Sequence, residues 1–172
     1  MKLKAIKNTP KKWLGKFPWK RQKSHKYSRG KVVIIGSQKS MTGATILSAE
    51  SALRAGVGSV KIICTKETLP IYSIKFPSVL KKEINNLNSL KKFINKEKSS
   101  VYLIGPGAGS NNLTKQKTLL LLKRIKHAVV DADALTCFKK KPKELYRFLD
   151  KTKLLPLIQK NFIQFFHQLK KV

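Results

Sequence analysis

The sequence predicts an α/β fold: three layers around a mostly parallel sheet. Short β-branched runs that end in Gly or Asp recur along the chain, as at Lys31–Gly36 and Val101–Gly105. Segments with helical spacing separate them, which calls for right-handed βαβ units. A length of 172 residues with 41% hydrophobic content suffices for one core, and argues against a wholly disordered chain.

Taken in order, residues 1–30 contain no acidic residue, two prolines and two tryptophans, and no clean period, so they read as a basic linker or arm. Lys31-Val32-Val33-Ile34-Ile35-Gly36 is the first strand. Thr42 to Arg54 is a helix capped by Thr42 and ended by Gly56, with Ala44, Leu47, Ala52 and Ala55 turned toward the sheet. Ser59 to Cys64 is the second strand, 66–76 a short helix, and Leu87 to Lys96 a polar amphipathic helix. Val101 to Ile104 is the third strand. A helix from Leu113 to Lys126 follows it, with Leu119, Leu120 and Leu122 inward. Ala128 to Asp131 is the fourth strand, and Pro142 to Leu149 a helix with Pro in its first turn. No internal repeat is evident.

The charge is unusual: 38 Lys+Arg against 8 Asp+Glu, a net +30. Such a balance suggests a polyanion or RNA partner. Yet 33 of the 38 basic residues are Lys, spread along the chain beside Asn, Ile and Phe, so a bias toward A- and T-rich codons is the competing cause. Nucleic-acid contact is therefore expected to be non-specific and salt-sensitive. No apolar run approaches the roughly 20 residues of a membrane helix, and the basic N-terminus lacks the apolar stretch of a secretory signal. Cys64 and Cys137 read as reduced thiols of a cytoplasmic protein.

Ligands of parallel α/β sheets bind beyond the carboxyl ends of the strands, and the unusual residues lie there. After the first strand, Gly43 and Ala44 open a helix whose N–H groups can meet an anion or hydroxyl. After the third, Gly105-Pro106-Gly107-Ala108-Gly109 offers backbone without side-chain bulk. After the fourth, Asp131 and Asp133 can take ligand hydroxyls or a hydrated metal ion. The same glycines also serve simple chain reversal, and Asp131 also suits a cap of the following turn. Neither a Walker A loop nor a dinucleotide fingerprint is present. His25 and His127 are isolated and read as surface or loop residues.

Several blocks in order carry a resemblance. They are His25–Gly30, Val32–Gly36, Thr42-Gly43-Ala44, Ala52–Gly58, Ile104–Gly109 and Val130–Leu135. Together they resemble the NAD(P)H-hydrate dehydratase family over about residues 25–150. The resemblance implies a ribokinase-like fold and the repair of hydrated NADH or NADPH (NADHX, NADPHX). In that reaction ADP or ATP, with Mg2+, phosphorylates the ring hydroxyl and phosphate is then eliminated. It implies that Ala44 and Gly109 contact the substrate, that Gly43 and Gly107 shape those contacts, and that Asp131 and Asp133 sit nearby. It leaves open a homo-oligomer and implies no membrane partner. Tyr27 stands in place of a family Gly, Thr136 in place of an Asn, and Pro77-Ser78-Val79 where Pro-Glu is usual.

The family's later Thr-Pro-His segment and its Gly-Thr-Gly-Asp segment, whose Asp is the catalytic base, are not among the 172 residues. The expectation is therefore a fragment without a catalytic residue, inactive alone. It divides into an arm (1–30), a partial ribokinase-like domain (31–153) and an aberrant tail (154–172). Back-translating Leu155–Phe162 with synonymous codons and reading one base earlier yields Leu-Thr-Pro-His-Pro-Lys-Glu-Phe, which makes a one-base frameshift near Leu154 the expected origin of that tail. Asn8 to Lys23 resembles the linker that follows an epimerase domain in bifunctional members.

Overall fold

β-branched residues stiff at χ1 favour extended backbone, and the runs rich in them form the middle of the sheet. The computed structural model describes residues 7–17, 24–150 and 152–156. Six strands run in chain order: β1 Lys31–Ile35, β2 Ser59–Cys64, β3 Leu80–Glu83, β4 Val101–Ile104, β5 Ala128–Val130 and β6 Lys153–Leu154. They lie in the order β3-β2-β1-β4-β5-β6, and every pairing is parallel. Ile34 pairs with Ile62 on one side and Leu103 on the other, so β1 is the central strand of the apolar set.

Alternation along the strands builds two cores. Val33, Ile35, Tyr102, Ile104 and Val130 face one way. There they meet α4 (Leu87–Lys96), α5 (Asn112–Leu122), α6 (Ala132–Thr136) and α7 (Lys143–Tyr146). Ile34, Val60, Ile62 and Cys64 face the other way and meet Ala49 of α2 (Thr42–Arg54) and Tyr72 of α3 (Leu69–Lys75). The expected three layers result. Each fully buried Ile or Leu of these cores contributes about 1.5–3 kcal/mol of transfer free energy.

Four expectations about the elements are corrected. β3 and β6 were not anticipated, because Lys81, Lys82 and Glu83 give an edge strand no apolar alternation and β6 has two residues. Thr42 does not cap α2. A 3-10 turn over Lys39–Met41 leads into the helix, so Thr42 already has helical backbone and Met41 precedes it with no side-chain cap. Leu47 and Ala55 are exposed, and the inward residues of α2 are Thr45 and Ala49. On α5 the fully inward set is Thr114, Thr118, Leu121 and Leu122, with Leu119 and Leu120 partly buried, and the helix stops at Leu122.

Of the arm, Pro10–Trp13 forms a one-turn helix (α1) followed by a 3-10 turn at Leu14–Lys16, with no buried residue. Residues 24–30 hold to the domain: a Cβ on Gly58 would lie 1.7 Å from the carbonyl oxygen of Lys26. Only glycine lets that backbone approach so closely. Residues 157–172, most of the expected tail, lie outside the described residues. Among the described residues no helix is long and apolar enough to cross a membrane.

Candidate functional site

The strand order reverses between β1 and β4, and in open parallel sheets a crevice forms at that point. The loops that follow β1, β4 and β5 converge there. Gln38 N–H donates to the Gly107 carbonyl at 2.9 Å, joining the first loop to the second. Gly109 N–H donates to Asp133 Oδ2 at 2.8 Å, joining the second to the third. Asp131 N–H donates to the Ile104 carbonyl at 3.0 Å, which continues the β4–β5 ladder to the edge of the rim.

The glycines of the middle loop make this fit. Gly105, Gly107 and Gly109 have φ of 129°, 67° and 78°, in the left-handed region. A Cβ on Gly105 would lie 1.8 Å from the Asp131 carbonyl oxygen. On Gly107 it would lie 2.9 Å from the Cβ atoms of Met41 and Ser37. On Gly109 it would meet the Gln38 side-chain amide at 2.2 Å.

The start of α2 differs. No side chain caps it: the 3-10 turn over Lys39–Met41 leads straight into the helix, and Gly43 and Ala44 lie in its first turn. Gly43 is exposed, and a Cβ there would meet nothing within 4 Å. Ala44 is half-buried, and its carbonyl accepts from Ser48 Oγ at 2.8 Å. The loop before α2 is clamped from below by hydroxyls. Ser37 N–H donates to Thr45 Oγ1 at 2.9 Å, Thr45 Oγ1 donates to Ser37 Oγ, and Tyr72 Oη lies 3.2 Å from Ser37 Oγ.

Both carboxylates are half-buried and engaged with backbone. Asp131 precedes α6 and accepts from Ala132 N–H at 2.7 Å, and Asp133 accepts from Gly109. Ala132, with φ of 43°, takes a left-handed backbone between them. Among the described residues no cluster of three His, Cys, Asp or Glu is placed to hold a metal ion. His25 and His127 are exposed, and Cys64 and Cys137 are free thiols. Burial, with the Glu83 carboxylate nearby, pushes the Cys64 thiol up.

Gln38 and Met41 were not singled out from the sequence, although both pack on the middle loop. Neither carries a motif signal; only the pairing across the crevice marks them. A cavity of about 30 Å3 also opens beyond β1–β3, lined by Ser37, Thr65, Asn86 and Lys117. Burial lowers the Lys117 ammonium below the usual lysine range.

Comparison with known proteins bears on this rim. Residues 32–157 match the NAD(P)H-hydrate dehydratase family. The bifunctional NAD(P)H-hydrate repair enzyme Nnr of Coxiella burnetii is 31% identical over 135 residues, 77% of this chain and 27% of that enzyme. The ADP-dependent (S)-NAD(P)H-hydrate dehydratase of Listeria monocytogenes is 28% identical over 137 residues, 78% of this chain and 49% of that enzyme. The chain thus spans between about a quarter and a half of these relatives. Among solved structures, a ribokinase-like superfamily protein of Enterococcus faecalis superposes with a TM-score of 0.72 at 21% identity, over 87% of this chain and 52% of that one. The ADP/ATP-dependent NAD(P)H-hydrate dehydratase of Bacillus subtilis, co-crystallised with ATP/Mg2+, gives 0.63 at 21% identity, over 90% of this chain and 55% of that one. These two establish the ribokinase-like fold. With the family's match running through all three strand-tip loops, the chain belongs to the NAD(P)H-hydrate dehydratase family.

Proposed function

We propose that this chain holds hydrated NADH or NADPH at the rim and contributes the substrate side of a dehydratase, without turning substrate over by itself. The observation that carries this reading is the open space at Gly43, in the first turn of α2, set beside loops already stitched together at Gln38–Gly107 and Gly109–Asp133. The positive end of a helix suits the oxygens of a dinucleotide. Loops fixed in advance reduce the ordering cost of binding.

In the relatives ADP or ATP would supply the phosphoryl group that makes the ring hydroxyl a leaving group. Among the described residues no group of three His, Cys, Asp or Glu is placed to hold the metal of that nucleotide, and each rim carboxylate accepts a backbone N–H. The division into an arm over 1–30, a dehydratase part over 31–153 and a different segment from 154 belongs to the same reading.

The test is equilibrium binding of NADPHX to the purified chain. Recovery of NADPH absorbance is then followed with ADP and Mg2+, alone and with a second polypeptide carrying the Gly-Thr-Gly-Asp segment of a relative. Binding without turnover by the chain alone is expected. Failure to bind refutes the substrate assignment, and turnover by the chain alone refutes the missing base.

A further inference from the structure

Beside the rim lies a feature that the dehydratase reading does not use: a groove of about 620 Å3, within the usual size range of small-molecule sites. One wall is the start of α5, with Ser110 and Asn112; the other is the stretch from the end of α6 to Lys141. The walls are tied together. The Cys137 thiol donates to the Asn111 carbonyl at 3.3 Å and lies 3.9 Å from Ser110 Oγ. Phe138, fully buried, anchors a turn in which Lys139 N–H donates to the Thr136 carbonyl and Lys141 N–H to that of Phe138.

That turn sets Lys139, Lys140 and Lys141 along one concave wall. A fourth lysine of the lining, Lys115, is neutralised by Glu144 at 2.7 Å. None of the ion pairs among the described residues involves the other three, although the Glu144 carboxylate also lies within electrostatic reach of Lys141, and no carboxylate lines the groove. Isolated exposed lysines attract anions weakly, but cations gathered in a concavity reinforce one another. The positive end of α5 points the same way. A monovalent carboxylate would leave most of these donors unmatched, whereas a diphosphate offers several oxygens and more than one charge.

We propose that this groove binds a phosphate-bearing ligand through Lys139, Lys140 and Lys141. Ser110 follows Gly109 of the rim directly, so the phosphates either of a dinucleotide or of a separate nucleoside diphosphate could reach it. The proposal does not depend on dehydratase activity, since its probe is inorganic pyrophosphate.

Calorimetric titration with pyrophosphate near physiological salt should give saturable binding. Exchanging the three groove lysines for glutamine (K139Q/K140Q/K141Q) should weaken it by about tenfold or more. The matched set K91Q/K92Q/K96Q on α4 removes the same charge from exposed positions elsewhere and should change it by less than about twofold. NADP+ and ADP are then added in competition: displacement by either supports the site and names the source of its phosphate. Equal weakening by both triple variants, no saturable binding, or displacement by neither nucleotide overturns the proposal. Circular dichroism confirms that both variants remain folded.

Discussion

Gly43 and Gly105 stand at the same edge of the sheet and use the same residue type for opposite ends. Around Gly43 there is empty space, so the missing side chain leaves room for something from outside. Around Gly105 the Asp131 backbone fills the position a Cβ would take, so the missing side chain serves the fold itself. A glycine-rich loop is therefore not a binding site by virtue of its glycines. Gly105 and Gly107 are spent on bringing the strand-tip loops together, and the vacancy they create lies at the start of α2.

The largest effect expected from this contrast is at Gly105. Gly105→Ala meets backbone at 1.8 Å with φ of 129° and should cost about 4 kcal/mol or more, read as a shift of the urea midpoint. A tolerated substitution would mean the loops are not interlocked. Gly107→Ala should cost about 2–3 kcal/mol, because φ is 67° and the Met41 and Ser37 Cβ atoms must yield. In the other direction, Ala132→Gly should relieve a left-handed alanine and raise stability by about 1 kcal/mol.

Gly43→Ala sharpens the comparison. It lies in the first turn of α2, where alanine should stabilise the helix by about 0.5–1 kcal/mol while weakening NADPHX binding. Unchanged affinity would move the ligand away from Gly43.

The smallest effect is a pH-dependent one, far from the rim. The Glu97 carboxylate is held below its usual range by its hydrogen bond to Lys61. Its folded-state pKa is thus lower than its unfolded one. The stabilisation is complete above the ordinary carboxylate range and is lost as pH falls through the folded value. Glu97→Gln should therefore lower the unfolding free energy near neutrality by about 1 kcal/mol or less, read from the urea midpoint, with the difference fading in acid.

The strands buried on both faces were readable because β-branched runs such as Val32–Ile35 have one structural use. β3 was not, since an exposed edge strand is chosen for charge and resembles a loop. α6 escaped notice because its first residue, Ala132, adopts a backbone that alanine seldom takes. At the rim, Gly107, Gly109 and Asp133 drew attention by residue type. Gln38, which joins two loops through its own N–H, could not, because a backbone hydrogen bond leaves no mark on residue choice. The expectation for Thr42 failed instructively: the residue type was right for a cap, but the 3-10 turn before it had already begun the helix.

The contact of Lys26 with Gly58 has a directional consequence. Both residues sit where the chain enters β1 and β2, at the opposite end of these strands from the rim. Five residues of β1 span about 16 Å, so any module joined ahead of residue 24 would be tethered to the back of the sheet.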